Sequence, residues 1–321
     1  MAGKVDTMTQ LVATRDVYGE TLARLGESSQ EIVVLDADLS GSTKTNIFAK
    51  KFPERFFNMG VSEADMMGTA AGLAAAGKIP FASTFAIFAS GRAWEQVRQS
   101  IAYPKLNVKI VASHGGITVG EDGASHQAIE DIAIMRAIPN MTVIVPCDGV
   151  ETRSVIQEIV KYNGPVYVRV ARGKFPVVLP EDYKFTMGKG VVVRDGKDAA
   201  IIANGLMVSH ALQAAAMLEK EGLQIQVINM STIKPIDSEL IIKAAQETGA
   251  IVTAEEHSII GGLGEAVASV VAEECPVPMK RVGIQDRFGQ SGRAEELLIH
   301  YGLMPKDIAA AVKEVITKKQ K

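Results

Sequence analysis

Short apolar runs alternate along the chain with longer stretches whose apolar residues recur every three or four positions, the pattern of an α/β protein with mostly parallel strands. In the amino-terminal part, IVVLDADL (32–39), IPFASTF (79–85), VKIVASHG (108–115), MTVIVPCD (141–148) and VYVRVAR (166–172) predict strands. Helices fit between them at 62–76, 88–102, 127–136 and 149–162, and Pro104 and Pro139 stand just past two of these, where a stop signal belongs. The segment GKFPVVLPEDYKFTMGKG (173–190) keeps no period and predicts a crossover. The alternation then restarts, with strands in AAIIANG, LQIQVINM and GAIVTAEEH and helices at 208–221, 237–247, 262–274 and about 305–319. Two consecutive α/β domains are expected, over 1–175 and 191–321, joined by a linker at 176–190. No fixed-period repeat suggests a solenoid.

Composition narrows the function classes. The 321 residues are 47% hydrophobic and 22% charged, which argues against disorder, and the length falls where one core usually gives way to two. Net charge is −3 with Lys and Arg dispersed, so neither a nucleic-acid partner nor a membrane is expected. Cys147 and Cys275 lie far apart in no metal or redox spacing, which fits a reducing, cytoplasmic setting. The start MAGKVDTMTQ has no apolar core of a secretory signal, and Lys78 and Pro80 interrupt the longest Ala/Gly-rich run short of a membrane span.

Candidate chemistry gathers in three places. FNMGVSEADMMGTAAGLAAAG sets Glu63 at the mouth of a helix that Ser62 is placed to cap, followed by small residues that permit close approach of a helix or a cofactor. A carboxyl group in a half-apolar interface is suited to sharing a proton with a ring nitrogen, although an acid in a first turn also serves the helix dipole alone. Phe85 and Phe88 follow the next strand and offer a stacking wall, or simply core. ASHGGITVGEDGASHQAIEDIAIMR (112–136) places His114, Glu121, Asp122 and His126 in a glycine-rich loop at the carboxyl end of a strand, where open α/β sheets bind ligands. A metal cage of both histidines with Glu121 or Asp122 is the rival, and a plain polar loop the bland reading, but the spacing matches no familiar zinc pattern. Asp38 and Ser42 end the first strand; Arg172 ends another and is suited to an anionic oxygen. Arg15 joins them only if the amino-terminal helix crosses the same crevice. No GxGxxG or GxxxxGK[ST] motif occurs. His257, in EEHSIIGGLGEAV, reads as a helix-start or subunit-contact residue.

These segments resemble the carboxyl-terminal half of transketolase, as found where the enzyme is divided between two polypeptides. NMGVSEADM is similar to the segment whose glutamate meets the pyrimidine of thiamine diphosphate, and VGEDGASHQAIED to the substrate-channel signature; PNMTVIVPCDGVE, NMSTIKPID and RVGIQDRFGQSGRAEELL continue the likeness. The resemblance implies a pyrimidine-binding domain followed by a transketolase C-terminal domain. It makes Glu63 the activating glutamate, places Phe85 and Phe88 beside the aminopyrimidine, and puts Asp38 near the cofactor. Arg15, Ser42, His114 and Arg172 then meet the sugar phosphate; Asp122 and His126 read its hydroxyls, and His126 is a candidate for proton transfer. The diphosphate and its Mg2+ (or Ca2+) are assigned to an amino-terminal partner subunit, with two copies of each chain in the assembly. Gly91 stands where a further aromatic is expected, leaving Trp94 or another element to complete the wall.

The implied activity is transfer of a two-carbon ketol unit from a ketose phosphate such as xylulose 5-phosphate to an aldose phosphate such as ribose 5-phosphate. Alternatives are a component like 1-deoxy-D-xylulose 5-phosphate synthase, the β subunit of a 2-oxoacid dehydrogenase, and a non-catalytic homologue that stabilises a partner.

Overall fold

The computed structural model describes residues 10–319, so the reading of the first nine residues lies outside it. Two main sheets carry the fold. The first is built from β2 (Ile32–Asp36), β3 (Phe56–Asn58), β4 (Ile79–Ser83), β5 (Lys109–Ala112), β6 (Thr142–Ile144) and β7 (Val166–Arg169), all parallel, in the order β6-β7-β5-β4-β2-β3. Buried on both faces, its central strands need apolar residues at successive positions, and all five residues of β2 are buried. A small ribbon pairs β1 (Leu11–Ala13) with β8 (Lys174–Pro176).

Helices cover this sheet: α1 (Thr14–Ser28), the short α2 (Ser40–Thr43) and α3 (Asn46–Lys51), α4 (Glu63–Ala75), α5 (Trp94–Gln96), α6 (Asp131–Ala137) and α7 (Gly149–Ile159). The sequence predicts one helix over 88–102. The chain there winds as π-helical turns at Phe88–Arg92 and Val97–Ala102 on either side of α5, a wider register that often marks functional sites. Ser62 makes no side-chain cap on α4, contrary to expectation, whereas Asp148 caps α7 by accepting from Glu151 N–H at 2.8 Å.

The second sheet, order β14-β13-β10-β11-β9, contains β9 (Val191–Arg194), β10 (Ala199–Ala203), β11 (Ile225–Asn229), β13 (Ile251–Ser258) and β14 (Met279–Ile284), with β9 antiparallel at one edge. Around it lie α8 (Met207–Glu219), α9 (Ser238–Thr248), α10 (Leu263–Glu274), α11 (Ala294–His300) and α12 (Pro305–Lys319). One strand breaks the division of labour: β12 (Thr232–Lys234) leaves the second sheet and pairs antiparallel with β6 on the edge of the first. The segment between the sheets is tied down, since Val178 and Leu179 N–H both donate to Asp148 at 2.8 and 2.9 Å. No helix among the described residues is long and apolar enough to cross a membrane.

Candidate active site

The carboxyl ends of β2, β4 and β5 converge on one crevice. At β2, the buried Asp36 accepts from Leu39 N–H at 2.6 Å and from the hydroxyls of Thr43 and Thr45 at 2.6 and 2.8 Å. Burial raises its carboxyl above the ordinary value while these three bonds oppose the rise. The knot fixes the turn carrying Asp38 and Ser42. Asp38 has φ +63° and is exposed, its carboxylate accepting from Asn58 at 2.9 Å, so it stands apart from the other predicted residues. Ser42 reaches the crevice through its backbone, whose carbonyl accepts from Arg15 at 3.0 Å.

Beyond β4 and β5 the parallel pairing continues as a bridge between Phe85 and Ser113, with Ala86 N–H donating to Ser113 O at 2.7 Å. That bridge brings Phe85 onto the ring of His114, at 3.8 Å between centroids and 21° between planes. Phe88 lies parallel to Phe85 at 5.8 Å, and His126 meets Phe88 edge-on at 5.3 Å. His114 is buried at φ +62°, with Nδ1 2.8 Å from Ser113 Oγ and Nε2 3.4 Å from Arg15 Nη1. A guanidinium only donates, so Nε2 is the acceptor and Nδ1 carries the proton. Burial first, then the positive charges of Arg15 and Arg172 and the neighbouring His126, push the His114 imidazole down to about 3, so the ring is neutral in this setting. Arg15, at the start of α1, therefore does cross the crevice.

Glu63 occupies the first turn of α4 and is 5% exposed. Its Oε1 accepts from Arg92 Nη1 at 3.0 Å. The same guanidinium lies 4.1 Å over the Phe88 ring, and the Arg92 side chain is 55% exposed. A flat, delocalised cation thus stacks on Phe88 while hydrogen-bonding the buried carboxylate. Arg92 was invisible to motif reading; its one signal was the four-residue spacing from Phe88. Trp94 turns away from this wall, with its indole N–H 3.4 Å from Ile134 O.

Arg172 donates to Val119 O at 2.5 Å and lies 3.5 Å from Asp122 and 4.0 Å from Glu121. A half-exposed pair of this kind contributes little stability, so its value is in holding a positive charge at the loop. Both acids face Arg172, and no group of three or more His, Cys, Asp or Glu suited to a metal occurs among the described residues. His257, read from the sequence as a contact residue, is wholly buried between the two domains, its Nε2 accepting from Ala133 N–H at 3.4 Å.

Comparison with known proteins bears on both domains. The chain matches the family models for the transketolase pyrimidine-binding domain over residues 10–177 and for the transketolase C-terminal domain over 188–308. It is 56% identical over 307 residues to a putative transketolase C-terminal section of Methanocaldococcus jannaschii, covering 95% of this chain and 96% of that protein. It is 44% identical over 305 residues to a 6-deoxy-6-sulfo-D-fructose transketolase subunit of a Clostridium species, covering 95% of each. A solved structure described as a split gene transketolase, inactive beta4 tetramer, superposes with a TM-score of 0.90 at 55% identity, covering 96% of this chain and 99% of that one. With both domains matched in order and nearly the whole length shared, this chain belongs to the transketolase family as its C-terminal subunit.

Proposed function

We propose that the chain works with an amino-terminal partner subunit as a thiamine diphosphate-dependent transketolase, and that Glu63, Phe85 and Phe88 receive the cofactor's pyrimidine. The observation that carries this reading is Arg92. Its planar guanidinium stacks on Phe88 and donates to Glu63, so the crevice accommodates a flat group bearing a hydrogen-bond donor against that carboxylate. An aminopyrimidine is likewise flat, with the hydrogen bond reversed: its ring nitrogen accepts and the protonated carboxyl of Glu63 donates. Thiamine diphosphate supplies the electron sink needed to break a carbon–carbon bond beside a ketone.

The chain's own groups bind, orient and move protons. Glu63 shares a proton with a pyrimidine nitrogen. Arg15 and Arg172 carry the positive charge for a sugar phosphate, and neutral His114, whose Nε2 already accepts from Arg15, orients that guanidinium. Asp122 and His126 face sugar hydroxyls, with His126 relaying protons. Ser42 presents its carbonyl to Arg15, and Asp38, which bonds Asn58 apart from these residues, is assigned to the cofactor by the family resemblance alone. The diphosphate and Mg2+ are assigned to the partner, with two copies of each chain in the complex. The domains are taken as 1–175 and 191–321, the pinned segment 176–190 joining them.

Xylulose 5-phosphate as donor and ribose 5-phosphate as acceptor are the proposed substrates. The relative named for 6-deoxy-6-sulfo-D-fructose supports a specific second reading, a donor with a sulfonate in place of the phosphate, since the same arginines suit either anion. The test is copurification with the partner, then a transfer assay with thiamine diphosphate, Mg2+ and a donor panel. Two-carbon transfer by the complex, and weak cofactor binding by the isolated chain, are expected. Full activity of the chain alone would overturn the divided-enzyme reading, and product from pyruvate with glyceraldehyde 3-phosphate would move it to the deoxyxylulose phosphate class.

A further inference from the structure

The loop that carries His114, Asp122 and His126 belongs to the first domain, yet its conformation is set from the second. Thr118 N–H donates at 2.7 Å to Oε1 of Glu256, a buried residue on β13. Arg169, buried at the end of β7, completes the seam: its Nη2 donates to Glu256 O at 2.9 Å and Ala128 O at 3.2 Å, while its Nε lies 3.4 Å from Asp131. Gly115 and Gly116 wrap these two side chains so closely that a Cβ at 115 would fall 1.8 Å from Arg169 Nε, and one at 116 would fall 2.2 Å from Glu256 Oε1. Gly116 also needs its φ of +81°. Further along, Ser291 Oγ–H donates to Glu121 O at 2.6 Å, and the buried Gln127 amide donates to Gly120 O at 3.2 Å and Gln290 O at 2.9 Å.

We propose that Glu256 is a positioning residue for substrate binding: by holding Thr118 N–H it fixes residues 114–123, with Ser291 as a second anchor at Glu121. The inference rests on the substrate role given above to His114 and Asp122. A buried amide whose acceptor is removed has no water to replace it, so the loop must shift to find one. Glu63 and Phe88 lie outside this loop, which meets the proposed pyrimidine wall where His114 stacks on Phe85, so the effect falls first on substrate and less on cofactor.

The test compares wild type, Glu256→Ala, Glu256→Gln and Ser291→Ala, each as full chain for amide exchange and as reconstituted complex for kinetics. Glu256→Ala is expected to speed exchange in peptides spanning 115–123 while leaving β2 and β4 protected. It should raise KM for the sugar-phosphate donor about tenfold, with the thiamine diphosphate Kd within about twofold of wild type. Glu256→Gln keeps an oxygen acceptor and should fall nearer wild type; Ser291→Ala should raise KM about two- to threefold. Unchanged exchange across 115–123 in folded Glu256→Ala would overturn the proposal, as would a cofactor Kd that weakens in step with KM. If Glu256→Ala does not fold, Ser291→Ala decides, and wild-type exchange at 119–123 with wild-type KM refutes. If the wild-type complex transfers no two-carbon unit from any donor, the functional reading falls, while the exchange comparison still decides whether Glu256 anchors the loop.

Discussion

His114 makes a prediction whose size follows from its surroundings. An unfolded histidine titrates near 6.5, whereas burial and the charges of Arg15 and Arg172 hold the folded imidazole at about 3. The folded value lies below the unfolded one, so the unfolded chain takes up the proton first. Stability from the neutral ring is therefore intact above about 6.5 and erodes as pH falls toward 3. At pH 5 the unfolded imidazole is almost fully charged and the folded one almost fully neutral, a difference of about 2 kcal/mol. At about 2–4 °C per kcal/mol for a domain of this size, that is roughly 4–8 °C of melting temperature. The assay is thermal melting of wild type and His114→Asn at pH 7.5 and pH 5. Wild type should lose about 4–8 °C more than the variant between the two pH values. His210, lowered in the same direction by burial, is present in both proteins and cancels. Equal pH slopes, or a variant more acid-sensitive than wild type, would refute the claim that this ring is neutral, and with it the assignment of phosphate charge to the two arginines alone.

Two further outcomes test the other end of the crevice. Glu63→Gln and Glu63→Ala should lower kcat of the reconstituted complex at saturating cofactor by at least about 100-fold, read by product formation; near-wild-type turnover would remove Glu63 from catalysis. Arg92→Ala removes a partly solvent-screened contact from Glu63 and Phe88, so the thiamine diphosphate Kd of the complex should tighten by a factor of about three to five, measured by titration calorimetry. A Kd weakened about tenfold would show instead that Arg92 helps hold the cofactor.

The central strands are legible because burial on both faces demands consecutive apolar residues, which IVVL and VYV display before each strand ends in a buried charge, Asp36 or Arg169. Each predicted run of the first domain extends past its strand because the apolar or small residues continue into the loops that carry the candidate chemistry, as in Phe85 after β4 and His114 after β5. The strands left unpredicted are marginal ones: β1, β3, β8 and β12 have three residues each, β9 is only half-buried, and β14 opens with Met-Lys-Arg. The departure of β12 from its own sheet has no local signal, since its partner β6 lies far away in sequence.

Residue types that do chemistry stood out in the sequence, and the contacts that aim them did not. The HGG turn after β5 is conspicuous as text, yet its two glycines are required by Arg169 and Glu256, whose side chains fill the space a Cβ would need. Thr118 and Glu256 are 138 positions apart, beyond any periodicity or spacing rule. Local pattern reveals which groups are present; burial then decides their charge and partners. That is why Arg15 was foreseen only conditionally, on α1 crossing the crevice, and why Arg92, with no motif around it, emerged as the group that pairs with Glu63. It also locates the role of the second domain. That domain meets the 114–127 loop through Glu256, Gln290 and Ser291, so under the proposal above its influence on the reaction runs through that loop.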